Sequence, residues 1–351
     1  MIIFKEKVLL FAIVLLYFNL GSLLWADYER ENPKEIFSTA VAFRHQKTGI
    51  FHANMVHLAE FYSETAYGQF AKGYLNLVSN KFSLCIENIE NAVKLNKENY
   101  RYLNQEAFYY LGICHFDLKE YNAAIENYTK SLSFDDGSGS DSYINALKER
   151  SSTYYMLENY ALAKIDIKKA TEALEKNLLL QPYYDIDRYY IENFVISGKL
   201  EDYEGAIRDS EIIIKKSKNR KSLGYFYRGM IKSTAYKDYE GGIKDYMLAL
   251  KENPKYFPAY VRIILSYMFL NEHLKAIEFT TKAMEIKPTT LRYLYYIKGY
   301  NYLKLGKKNA ACTELEKSLT FPVYNALEES DGEFESDPEP SIKELINNNC
   351  K

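Results

Sequence analysis

A chain of 351 residues, 47% hydrophobic and 26% charged, is long enough to bury one large core or two ordinary ones. Its 45 Lys and Arg against 47 Asp and Glu leave a formal charge of −2, without the basic excess that holds a polyanion, which argues against nucleic acid as a partner. The 34 Tyr against one Trp and 8 Pro suit half-buried surfaces rather than a loop-dominated fold, because tyrosine joins a large apolar body to a polar tip.

The N-terminus reads as an export signal. Lys5 and Lys7 precede the apolar residues 8–18, a length within the secretory window. Leu24-Trp25-Ala26 then leads into Asp27, so cleavage after Ala26 is expected, and residues 1–26 form a signal peptide or N-terminal anchor. The anchor is the alternative because residues 8–26 approach the roughly 20 apolar residues of a membrane span. Both readings put the remainder outside the cytoplasm: periplasmic, envelope-associated or secreted. No Cys follows the apolar run, so a lipoprotein-type lipid attachment is not expected.

Residues 27–65 read as an N-terminal helical cap, with Phe37, Ala40, Val41 and Phe43, then Met55, Leu58, Ala59 and Phe61, at helical spacings. From residue 66 to 321 a unit repeats. Its clearest copy is Phe108-x2-Leu111-Gly112-x2-His115, then Tyr121-x2-Ala124-x3-Tyr128-x2-Ser131. The frame returns with Leu147, Arg150, Ser151 and Tyr154 before Ala163; with Tyr225, Arg228 and Gly229 before Gly242; with Tyr260, Ile263, Ile264 and Tyr267 before Ala276; and with Tyr295, Lys298, Gly299 and Tyr302 before Ala311. Two units are weaker. One keeps Gly73 and Cys85 but has Asn76 where an aromatic is expected, and another keeps Ala206 while its first helix, around Tyr189 to Ser197, has lost the pattern. The small residues Cys85, Ala124, Ala163, Ala206, Gly242, Ala276 and Ala311 recur every 34 to 43 residues. A small residue at each close crossing lets two helix backbones approach, and large residues three or four places away fill the faces between them.

This pattern resembles the tetratricopeptide repeat. The resemblance implies an all-α, right-handed superhelical solenoid of about seven antiparallel helix pairs over residues 66–321. It also implies that the first helix of each pair lines a concave groove for extended peptide segments. The groove places fall on Phe70 and Tyr74, Tyr109 and Ile113, Lys148 and Ser152, Phe226 and Met230, Val261 and Leu265, and Tyr296 and Tyr300, with Met268, Phe269, Tyr293 and Leu303 beside them. Members that clamp a terminal carboxylate carry Lys and Asn at these places, and only Lys148 conforms. The expected function is therefore a non-catalytic protein–protein interaction scaffold outside the cytoplasm, taking a protein or extended peptide in an aromatic groove. The alternative is a glycan-binding protein using the same tyrosines.

Residues 322–340 read as an acidic linker and 341–351 as a short C-terminal helix. The acids of the linker lack the sixth-place glycine of an EF-hand, and His45, His52, His57, His115 and His273 are scattered, so neither metal nor cofactor is expected. The basic residues 215–221 read as a helix end whose cations complement the macrodipole. Four Cys allow three complete pairings. Cys312 and Cys350 form the favoured pair, as similar exported repeat proteins often end this way, whereas Cys85 and Cys114 read as small buried packing residues.

Overall fold

The computed structural model describes residues 32–44, 48–135, 139–217, 219–322 and 339–350. The export segment, His45, Lys218 and the acidic run after residue 322 lie outside the described residues. Among the described residues every regular element is helical, and these residues divide into two compact units, one ending at Tyr184 and the other beginning at Asp185.

The first unit holds α1 (Pro33–Phe43), α2 (Thr48–Phe61), α3 (Ala66–Val78), α4 (Phe82–Leu95), α5 (Arg101–Asp117), α6 (Tyr121–Ser133), α7 (Asp141–Met156) and α8 (Tyr160–Lys176). The second holds α9 (Ile186–Lys199), α10 (Tyr203–Lys216), α11 (Lys221–Thr234), α12 (Tyr239–Glu252), α13 (Phe257–Phe269), α14 (His273–Ile286), α15 (Leu291–Lys304), α16 (Lys308–Ser318) and α17 (Glu339–Asn349). Within each unit successive helices pack as pairs, and each pair packs on the next, the arrangement of a helical solenoid.

The repeated small residues sit where helices cross most closely. Cys85, Ala124, Ala163, Ala206, Ala276 and Ala311 have no exposed surface, and Gly242 is buried. Gly73, Gly112, Gly229 and Gly299 each face the large residue four places beyond the partner helix's small one. A Cβ added at Gly299 would stand 2.7 Å from Leu315, and at Gly229 it would stand 2.9 Å from the Tyr246 ring. At Gly112 the obstacle is the Tyr128 ring, itself only 1% exposed.

The turn inside each pair is also repeated. Asn80, Lys119, Glu158, Glu201, Lys237, Asn271 and Gly306, each five residues before its small residue, adopt φ of 55° to 71°. The amide after each one bonds back to a first-helix carbonyl, as Lys81 does to Asn76 and Glu120 to His115, at 2.8 and 2.9 Å. This is the left-handed helix stop that normally favours glycine. Asp202 and Asp238 then start α10 and α12 by accepting hydrogen bonds from Gly205 and Gly241, at 2.8 and 2.9 Å.

The two weak units are regular in space: one buries Phe70, Cys85 and Ile89 and the other Tyr190, Phe194 and Ala206, and polar partners add to these contacts. Asn76 donates to Asn88 at 2.9 Å, and in α9 Ser197 donates to the buried Asp209 at 3.1 Å. The N-terminal helices belong to the first core, where Ile36, Phe37, Phe51, Met55 and Leu58 pack with Phe70 and Leu103. Phe61 departs from expectation. It is 55% exposed and lies against the His57 ring.

Two disulfides close the cysteine inventory. Cys312 of α16 bonds Cys350 just past α17, with Cα atoms 5.6 Å apart. Cys85 of α4 bonds Cys114 of α5 across 6.5 Å, so these are a cross-pair bridge and not the simple packing residues the sequence suggests. Their burial was legible; their juxtaposition depends on how α4 and α5 stack.

Candidate partner-binding surface

Burial sorts the expected groove residues into two sets. Phe70, Phe226 and Val261 are core, with 0%, 7% and 1% of their surface exposed, which corrects their assignment to a groove lining. The Phe70 ring packs edge-on to Phe37 and Tyr110. Tyr74 keeps some exposure, but its ring abuts Phe51 of α2 at 5.1 Å and Tyr110 at 5.8 Å. Tyr109 and Ile113 are likewise half-buried against the first core. Burial, reinforced by the carboxylate of Glu149, pushes the Tyr109 hydroxyl well above its ordinary pKa. In this unit the N-terminal helices take up the face that the repeat pattern alone would leave open.

The second unit leaves more of this face accessible. Leu265, Met268, Tyr293 and Tyr296 are partly buried at the margin of the core built from Phe257, Ile264 and Leu294. The Tyr293 and Tyr296 rings lie 6.0 Å apart, centre to centre. Tyr300 follows one turn along, with the Lys304 ammonium 5.2 Å over its ring. Burial, and secondarily the neighbouring Tyr300, raises the Tyr296 hydroxyl above the ordinary tyrosine value. Met230 packs with Phe194 and Ile231, while Leu303 stays partly buried. Phe269 is 65% exposed and stacks on Tyr239 at 4.9 Å, so its ring is engaged at the start of α12. Lys148 is paired with Glu149 at 3.2 Å, and the Ser152 hydroxyl donates to the carbonyl of Lys148.

A polar register escaped the sequence reading. Arg150 donates to both carboxylate oxygens of Asp166, at 2.6 and 2.8 Å, and Arg228 does the same to Asp245, at 3.0 and 2.6 Å. Lys298 pairs with Glu314 at 2.9 Å. In each case a base three places after the large first-helix residue meets an acid three places after the small second-helix one, a spacing visible in the sequence once the pairs are known. Bidentate geometry fixes the angle between the two helices as well as their contact.

The histidines are dispersed. His115 contacts Glu120 at 2.6 Å and His273 contacts Asn301 at 2.8 Å. Among the described residues no group of three or more His, Cys, Asp or Glu is arranged to hold a metal. At the basic helix end, Lys215 and Lys216 occupy the last turn of α10, and Arg220 pairs with Asp185 at 2.6 Å.

A tetratricopeptide-repeat family model matches residues 105–137 and 293–321. Among solved structures, the C-terminal part of a repeat-containing protein from Cytophaga hutchinsonii is similar at 14% identity, covering 72% of this chain and 95% of that one with a TM-score of 0.56. A tetratricopeptide repeat protein from Parabacteroides merdae is similar at 19% identity over 82% of this chain and 99% of that one, with a TM-score of 0.46. YrrB, described as a repeat protein with an unusual peptide-binding site, shows 19% identity over 57% and 92%, with a TM-score of 0.41. No curated protein matches the chain. The fold and the recurring crossings make this a helical-repeat protein, two segments of which match the tetratricopeptide-repeat model.

Proposed function

We propose that the chain is a non-catalytic scaffold outside the cytoplasm that holds an extended segment of a partner protein against the first helices of its second unit. The observation that carries this reading is the partly exposed row Leu265, Tyr293, Tyr296 and Tyr300, which lies on α13 and α15 at the margin of a rigid core. Aromatic side chains held by packing lose little freedom on binding, which is why they so often dominate interface energetics. Pairing of all four cysteines favours an oxidising compartment. That agrees with an export signal over residues 1–26. Among the described residues no helix is long and apolar enough to cross a membrane. The glycan alternative draws no support here. The carboxamide beside Tyr300, that of Asn301, is buried and donates to the backbone of its own helix, so it is not available to a sugar hydroxyl.

Affinity capture from the organism's envelope fraction identifies the partner, and the double substitution Tyr296→Ala, Tyr300→Ala tests the surface. The expected result is partner binding weakened by at least about tenfold, roughly 1.4 kcal/mol, with helical content retained. Unchanged binding by a folded double variant would place the binding surface elsewhere.

A further inference from the structure

The last α-helix of the first unit, α8, and the turn that follows it carry a surface that the repeat packing leaves uncovered. Leu162, Ile165, Lys168, Lys169, Glu172 and Lys176 are exposed, and spacings of three and four residues set them on one face of the helix. Leu178 and Leu179 come directly after the helix and are 75% and 84% exposed, the highest values of any large apolar side chain among the described residues. Pro182 and Tyr183, both exposed, complete the strip. The leucines stand on an ordered turn. The Asn177 carboxamide donates to the carbonyl of Gly139 at 3.2 Å and that of Gln181 to the carbonyl of Glu175 at 2.8 Å, while the next residue, Leu180, is half-buried.

Solitary exposed leucines are ordinary, but an adjacent pair at the end of a partly apolar helix face marks a contact site. Composition decides which contact. Protein interfaces are enriched in Trp, Phe, Met and Arg and depleted in Lys. From Asn159 to Tyr183 the exposed side chains include none of the first four, and they set three lysines against one glutamate, Glu172. Of the remaining charges, Asp166 is paired with Arg150, and the half-buried Lys164 and Glu175 offset one another. Leucine beside lysine, with tyrosine at the edge, suits a lipid surface. The apolar groups enter the boundary between headgroups and acyl chains, the lysine stems follow them while their ammonium groups reach the headgroups, and the tyrosine ring sits at headgroup level. A cavity of about 610 Å³ borders the strip, and Lys169 and Lys176 line it together with Glu172 and Asp135. That lining is balanced and offers a discrete anion no net attraction. With Lys168, which is not part of it, the surface as a whole stays positive, as attraction to an anionic membrane demands.

We propose that this strip docks the first unit on a membrane surface rich in anionic phospholipid. Leu162, Ile165, Leu178 and Leu179 enter the lipid, and Lys168, Lys169 and Lys176 pair with the headgroup phosphates. The strip shares no residue with the aromatic row of the second unit, so either can fail alone.

The test uses the full chain with a label at the turn. All four cysteines are in disulfides, so Leu179→Cys supplies the one thiol open to an environment-sensitive fluorophore. The label is expected to shift its emission to the blue with vesicles of equal parts phosphatidylcholine and phosphatidylglycerol, and not with phosphatidylcholine alone. A local label keeps the readout independent of any membrane attachment through residues 1–26. The same fluorophore on Lys251→Cys, an exposed position of α12, should not respond. In the chain labelled at residue 179, the combined substitutions Lys168→Gln, Lys169→Gln and Lys176→Gln should remove the shift, since each lysine beside an anionic surface adds to the attraction. All of these side chains are exposed, so the fold is expected to survive, and circular dichroism checks it. No shift with the anionic vesicles, an equal shift with phosphatidylcholine alone or at residue 251, or a shift that survives loss of the three lysines would overturn the assignment. A shift produced by an envelope protein extract and not by vesicles would overturn it in favour of a protein interface.

Discussion

Replacing the exposed left-handed residues of the intra-pair turns by glycine should stabilise the protein. Lys119, Glu158, Glu201 and Lys237 hold φ of 63°, 58°, 57° and 55°. A residue with a Cβ pays about 1–2 kcal/mol for this conformation. Glycine avoids that cost but surrenders about 0.5–1 kcal/mol through its greater freedom in the unfolded chain. The difference is a net gain of about 0.5–1 kcal/mol per site. All four side chains are exposed, so little else is lost on replacement. Lys119 and Glu158 belong to the first unit and Glu201 and Lys237 to the second. Distant sites add, so each pair of substitutions should contribute about 1–2 kcal/mol. At about 2–4 °C per kcal/mol for a unit of this size, the melting point of the unit rises by about 2–8 °C. Urea unfolding followed by circular dichroism should show a higher midpoint with an unchanged slope. Gly306→Lys is the reverse experiment and should lose a similar amount, since Gly306 shares the conformation at φ 71°. A glycine variant less stable than the parent, with its fold intact, would refute the argument that these turns carry conformational strain.

Asp245→Ala should destabilise the second unit by about 2–3 kcal/mol, less than the full penalty for breaking a buried pair because the stranded cations keep some solvent. Asp245 is 3% exposed and receives Arg228 and Lys232, which are 21% and 30% exposed; denaturant unfolding measures the loss, and a change below about 0.5 kcal/mol would mean the register pairs are ornamental. Stability should also fall at alkaline pH. Burial raises the pKa of Tyr67, Tyr110 and Tyr128, Tyr67 to about 12, so the folded state holds these protons more tightly than the unfolded state does. Their contribution is complete below the ordinary tyrosine pKa of about 10 and declines as pH rises through the folded values. Tyrosinate absorbance should therefore show a fraction that ionises only as helicity is lost; a single titration near the ordinary value, with helicity intact, would contradict the burial.

Much of the architecture was written in local pattern. The small residues and their large partners at helical spacing set which helices cross and how closely, because only side chains of the right size let two backbones approach. The intra-pair turns were only half legible. Asn80, Asn271 and Gly306 tolerate a left-handed backbone, whereas nothing about Lys119 or Glu158 as residue types announces one. At α9 the repeat's spacing is lost, yet the helix still buries Tyr189, Tyr190, Phe194 and Ile196, and Ser197 adds a hydrogen bond to Asp209 on the neighbouring helix.

The candidate surface shows where local information ends. The repeat pattern placed Phe70, Phe226 and Tyr296 at equivalent positions, but exposure depends on what covers them. Phe51 from α2 closes over Tyr74, and the core encloses Phe70 and Phe226, while Tyr296 stays at the margin. The Cys85–Cys114 bridge and the Arg44–Glu106–Asp141 cluster likewise bring together residues from different helices. The sequence by itself determined the repeat, because a repeat is a matter of neighbours three, four and about thirty-four places apart. Only the tertiary structure decided which faces are covered, which cysteines meet and where charge is enclosed, because these depend on helices far apart in the chain, whose stacking no local periodicity encodes.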